Sequence, residues 1–132
     1  MKYIDKLRNS GLRPTKQRLQ ICEVLFDTEE TFHFTINELD QKIKDKIQNK
    51  ISLATIYNTV NAFEKKGYLK QIPINSTQTY FDTNITDHHH FYNLRDGKLI
   101  DLENSDVGPI NIKKKINGKR IKSIEVLVKL ED

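Results

Sequence analysis

Hydrophobic positions recur every three or four residues through the first half of the chain and alternate in the second. After Pro14 and Thr15, apolar side chains stand at Leu19, Cys22, Leu25 and Phe26, so the spacing predicts a helix capped by the Thr15 hydroxyl. Tyr3, Ile4 and Leu7 precede it as a short opening helix that Gly11 ends. "Thr35-Ile-Asn-Glu38" has the form of a capping box, and Leu39, Ile43 and Ile47 follow on one face. Ser52 stands before a further stripe of Ile56, Val60 and Phe63, and Gly67 sits where that helix should stop. Cys22 lies on a buried stripe and reads as a small core residue rather than a reactive thiol.

Beyond Gly67 the period shortens. "YLKQIPINSTQTYFDT" holds two β-prone runs joined by a polar turn at Asn75 to Thr77. Pro73 suits an edge strand, where a missing N–H leaves no partner unmet. Helices followed by such a hairpin give the order of a winged helix-turn-helix. From about Thr83 the pattern changes. "HHHFYNL" and "KLIDL" read as a hairpin around "RDG", and Ile110 to Ile116 as a short helix. Ile124, Val126, Val128 and Leu130 alternate as a half-buried strand does. The expectation is an α+β chain: residues 1–83 form an N-terminal winged helix-turn-helix, and residues 84–132 a small C-terminal α/β domain. The latter, 49 residues long, buries too little surface for a firm core alone. Pairing between two copies is expected to supply the rest.

Composition narrows the classes. The 132 residues, 36% hydrophobic and 30% charged, suffice for one ordinary domain or two small ones. No apolar run approaches the roughly 18 to 20 residues of a membrane helix. The opening "MKYIDKLRNSG" lacks an apolar signal core, so a soluble, cytoplasmic protein is expected. Cys22 is the single cysteine, which excludes an intrachain disulfide and a thiolate zinc knuckle. The net charge of +4 and a pI near 9.1 permit a polyanionic partner. Residues 1–83 hold 13 basic and 10 acidic side chains, so +3 of that excess lies in the helical half.

Placement matters more than the sum. Arg13, Lys16 and Arg18 flank the start of the second helix, where they could hold phosphates. The helix that begins at Ser52 would enter a major groove. Its polar side carries Thr55, Asn58 and Asn61, with Tyr57 near the edge. Such side chains hydrogen-bond without charge, an unusual choice for a merely solvated face. Ser52, Thr55, Tyr57 and Asn58 are therefore the candidates for base edges and thymine methyls, while the basic groups set register on double-stranded DNA. The competing reading is a winged helix that binds protein. Lys42, Lys44, Lys46 and Lys50 read as a solvated helix face.

"GLRPTKQRLQICEVL", "ISLATIYNTVNAFEKKGYLKQ" and "DHHHFYNLRDGKLIDL" resemble the ferric uptake regulator (Fur) family of dimeric metalloregulators over nearly the whole chain. "SLATIYNTV" is the most specific segment, similar to that family's recognition helix. The resemblance implies a homodimer that binds an AT-rich palindromic operator, a hinge near residue 83, and a C-terminal dimerisation domain. It also implies base contacts from Tyr57 and a minor-groove role for Arg13, with Asn58 replacing a frequent arginine. The triple histidine without flanking cysteines is most similar to the iron response regulator branch, which controls haem biosynthesis and iron genes.

"ITDHHHFYNLRDGKLIDLE" holds three of the four histidines. Imidazole and carboxylate together suit Fe(II), Mn(II) or Zn(II). On a strand, His88 and His90 share one side, and Asp87 and His89 the other. Asp101 returns to the first side across the hairpin, Asp82 lies at the hinge, and His33 is the one histidine of the helical half. A metal joining His33, Asp82, His88, His90 and Asp101 would tie metal level to the spacing of two recognition helices. The resemblance implies the same set, with Asp82 and Asp101 where the family more often has glutamates. Of a second family site Asp87 and His89 remain, and Ile124 stands where a histidine is expected. Asn93 and Asp96 replace the family's Cys-x-x-Cys. Haem is the other ligand considered, with His88, His89 and His90 as axial candidates. A chance cluster of strand histidines is the bland alternative. An enzyme is disfavoured, because no Ser/His/Asp set, no Gly-rich phosphate loop and no general base beyond these ligands is present.

Overall fold

The computed structural model describes residues 2–132, and the chain divides into two compact units that part between Ile85 and Thr86. The division falls two residues beyond the boundary expected at residue 83. Among the described residues no helix is long and apolar enough to cross a membrane.

The first unit contains α1 (Ile4–Asn9), α2 (Lys16–Phe26), β1 (His33–Phe34), α3 (Ile36–Lys46), α4 (Leu53–Lys66), β2 (Lys70–Pro73) and β3 (Thr79–Asp82). The expected caps are in place. Thr15 Oγ1 accepts the Arg18 N–H, Thr35 and Glu38 form a complete capping box, and Ser52 Oγ accepts the Thr55 N–H. Gly67 ends α4 in the left-handed region at φ +92°. The apolar stripes meet in one core, where Leu7, Ile21, Cys22, Leu25, Leu39, Ile43, Ile56, Val60 and Phe63 are at most 1% exposed. Each large side chain so buried contributes about 1.5–3 kcal/mol. The Phe63 ring lies edge-on to Phe26, with centroids 5.6 Å apart. Tyr3, at the foot of α1, donates its hydroxyl to the Asp27 carboxylate just past α2. That bond, with Lys2 beside it, holds the Asp27 carboxyl below its usual range.

The hairpin is not alone. β1, two residues long, adds to it and makes a three-stranded antiparallel sheet in the order β1-β3-β2. Two residues are too few to show alternation, so the sequence pattern gives no sign of β1. It sets His33 opposite Asp82 and Phe34 opposite Phe81. Pro73 lies in β2, an edge strand as expected.

The second unit is built on β4 (His89–Asn93), β5 (Leu99–Leu102) and β6 (Leu127–Leu130), in the order β5-β4-β6. β4 and β5 form the expected antiparallel hairpin around the Asn93–Lys98 turn, and β6 runs parallel to β4. The helix expected over Ile110 to Ile116 is not formed. Apart from a 3-10 turn at Asn104–Asp106, the described residues of this unit hold no helix, so the α/β expectation for it is corrected to a strand-based unit. The local chemistry explains this. Only Ile112 and Ile116 stand at helical spacing while Ile110 falls outside it, three consecutive lysines repel one another, and Asn117-Gly118 breaks the run. The final strand also starts later than alternation implied, at Leu127.

Candidate functional site

The β4–β5 hairpin places His90 directly opposite Asp101. Because side chains alternate along a strand, His88 falls on the same side as His90. Its ring centroid lies 4.5 Å from that of His90. Asp101 Oδ1 is 3.3 Å from His90 Nε2 and 3.8 Å from His88 Nε2. His88, His90 and Asp101 each offer a ligand atom within 4.8 Å of the others. Both imidazoles are buried, at 4% and 5% exposure, while the Asp101 side chain is half exposed.

His88 Nδ1 lies 2.8 Å from the Thr86 carbonyl oxygen. A carbonyl only accepts, so Nδ1 carries a proton, and Nε2 is the nitrogen on the cluster side. A hydrogen bond of this kind is how metal-binding histidines are usually fixed in tautomer and orientation. Two imidazoles and a carboxylate, with further donors, suit a divalent first-row ion. The donor set fits the metal expected from the sequence.

His89 is used differently. Its Nδ1 accepts the Val126 N–H at 2.9 Å, so the proton of the neutral ring sits on Nε2. To ligate an ion or a haem iron, His89 would have to give up that proton or this bond. Asp87 is exposed, and its carbonyl accepts from the Asn104 amide at 2.9 Å. Ile124 is half-buried, and Asn93 Oδ1 accepts the Arg95 N–H in the hairpin turn. In the first unit, His33 and Asp82 face each other as strand partners. Asp82 is 2% exposed, and its Oδ1 accepts the Asn84 N–H at 2.9 Å. His33 lies edge-on to Tyr80 at 5.9 Å.

On α4, Tyr57 is 53% exposed and Asn58 is exposed beside it. Ser52 and Thr55 do local work: their hydroxyls are 2.9 Å apart, and Ser52 caps the helix. Arg13 and Lys16 are exposed, whereas Arg18 turns back to donate to the Arg13 carbonyl at 3.0 Å. Tyr57 and Asn61 line one cleft with Gln71 and Gln78 of the hairpin, and no charged side chain enters it. Sequence reading missed both glutamines, since the hairpin's pairing decides where they point.

The sequence profile of the ferric uptake regulator family matches residues 9–130. The peroxide-responsive repressor PerR of Staphylococcus saprophyticus is 35% identical over 99 residues, which cover 75% of this chain and 65% of that protein. PerR of Staphylococcus aureus is 33% identical over 100 residues, covering 76% and 66%. The chain thus spans just under two thirds of the length of these relatives. Among solved structures, the Vibrio cholerae ferric uptake regulator superposes with a TM-score of 0.73 at 21% identity, over 99% of this chain and 100% of that one. The Campylobacter jejuni peroxide stress regulator gives 0.64 at 23% identity, over 100% and 97%. These structures share the fold. With the profile matched over nearly all of its length, this chain belongs to the ferric uptake regulator family.

Proposed function

We propose that this protein is a homodimeric, metal-responsive transcriptional repressor that binds double-stranded DNA in the cytoplasm. The observation that carries the reading is the His88, His90 and Asp101 cluster, in which Thr86 holds His88 in the tautomer that a metal needs. We assign His33 and Asp82 to the same ion. Asp82 precedes His88 by six positions, and His33 is paired with it across the sheet. When bound, the metal supplies positive charge that draws these donors into one arrangement. A ligand that prefers one arrangement shifts the population toward it, and typical couplings of 1–3 kcal/mol change DNA affinity about 5- to 150-fold. Tyr57 and Asn58 read the AT-rich palindromic operator from α4, while Arg13 and Lys16 hold phosphates and Arg18 positions Arg13. Asp87 and His89 are at most a weak secondary site.

The relatives' name supports a more specific reading, a repressor released by peroxide. Fe(II) in this site would add a one-electron reductant for peroxide, which Mn(II) would not. Haem-responsive control of iron and haem genes, the iron-response alternative, draws only on the three adjacent histidines, and His89 is committed to the backbone of Val126.

The test is fluorescence anisotropy with a duplex from upstream of the protein's own gene, using chelated protein and adding Mn(II), Fe(II) or haem. Tight binding with Mn(II) or Fe(II), and loss on adding hydrogen peroxide only in the Fe(II) form, is the expected result. DNA affinity indifferent to metal would overturn the sensor reading, and release by haem alone would establish the iron-response alternative.

A further inference from the structure

Between the 3-10 turn and β6, residues 107–124 carry Lys113, Lys114, Lys115, Lys119, Arg120 and Lys122, with no aspartate or glutamate. Six of the chain's 22 basic residues lie there, so the remainder holds 16 basic against 18 acidic side chains. The stretch thus carries +6 against a remainder of −2, although residues 1–83 are themselves mildly basic. Among the described residues none of the six has an ion-pair partner. All six are exposed. A run of this length without helix or strand inside a compact unit is uncommon and usually functional or a linker.

The stretch has a defined shape. Lys119 N–H donates to the Ile116 carbonyl at 3.1 Å, and Gly118 supplies φ +74°, the left-handed third residue of a type II turn. That turn puts Lys113, Lys114 and Lys115 on one limb and Lys119, Arg120 and Lys122 on the other. Ile110, Ile112, Ile116 and Ile121 are 40–69% exposed along it. Its C-terminal base is tied to the histidine strand, because Val126 bonds to His89 Nδ1 and accepts the His90 N–H. Basic side chains interleaved with apolar wedges are what protein arms use along phosphates and the minor groove.

We propose that residues 107–124 form a second DNA-contacting element, a basic arm that grips phosphates beside the operator. This rests on the DNA-binding reading above. It makes the sensing unit itself a contributor to affinity, with no part in base discrimination.

The experiment uses the full chain with Mn(II) and compares the wild type with two variants. In one, the six basic residues become glutamine. In the other, the five lysines become arginine and Arg120 becomes lysine. Binding to the upstream duplex and to a random duplex of equal length is titrated across NaCl concentrations. The glutamine variant is expected to weaken on both duplexes by at least about tenfold, with a salt slope shallower by about 0.9 for each phosphate no longer neutralised. Its discrimination between the duplexes stays at the wild-type ratio, and the charge-conserving variant behaves as wild type. Circular dichroism and sedimentation confirm fold and association. An unchanged slope overturns the arm. So does loss of association in the glutamine variant, which would make the stretch a contact between copies. So does binding to anionic phospholipid vesicles that disappears in that variant while DNA binding is unaltered. If the wild type binds neither duplex, the repressor reading falls and takes the arm with it.

Discussion

At His88, one ring nitrogen is turned away from the cluster: the Thr86 carbonyl claims the Nδ1 proton, and Nε2 faces Asp101. At His89 the same ring is set the opposite way by the Val126 N–H. Three identical neighbours are therefore held differently, His88 and His90 beside Asp101 and His89 on the backbone of Val126. Calorimetric titration with Mn(II) separates the roles. His88→Ala with His90→Ala should abolish binding, whereas His89→Ala should leave affinity within about threefold while costing about 1–3 kcal/mol of stability through the orphaned Val126 N–H. Loss of Mn(II) binding in His89→Ala would show that His89 is a ligand after all. Cys22 makes a pH prediction. Burial pushes its thiol from the usual 9.0 up to about 12. The folded state keeps a proton that the unfolded thiol releases, so this contribution is full below pH 9 and is lost as pH rises toward 12. The stability gap between wild type and Cys22→Ala in urea should narrow from about pH 9 to about pH 11; a constant gap would exclude a buried neutral thiol.

At the scale of elements, each helix of the first unit after α1 begins on a hydroxyl that satisfies a first-turn N–H. Thr35→Ala removes a complete capping box and should cost about 1 kcal/mol in urea unfolding. Gly67→Ala meets no atom within 4 Å of the added Cβ, so its cost is the left-handed backbone alone, about 1–2 kcal/mol. A smaller penalty would mean that α4 ends differently in solution. These caps, the core stripes and both hairpins were legible because their causes are local. β1 was not, since two residues gain strand geometry only by pairing with β3. The false helix at Ile110 to Ile116 shows the converse: apolar residues alone suggested an element whose spacing and like charges do not sustain it.

For the whole molecule, the metal is expected to act as a ligand of the folded state. Saturating Mn(II) at about 100 times Kd should stabilise by about 2.7 kcal/mol, seen as a rise in Tm that a chelator reverses and that Asp101→Asn diminishes. An equal rise in the His88→Ala, His90→Ala variant would place the ion elsewhere.

The amino-acid order by itself determined the helical stripes, their caps, the family and the alternation that groups His88 with His90, because these depend on spacing along a single backbone. It could not determine which ring nitrogen each histidine presents, that Arg18 folds back onto Arg13, or that Gln71 and Gln78 share a cleft with Tyr57. Those outcomes depend on which backbone groups come within hydrogen-bonding distance once distant segments pair. Only the packed chain brings Val126 to His89 across 37 positions of sequence, and that bond sets His89 apart from His88 and His90.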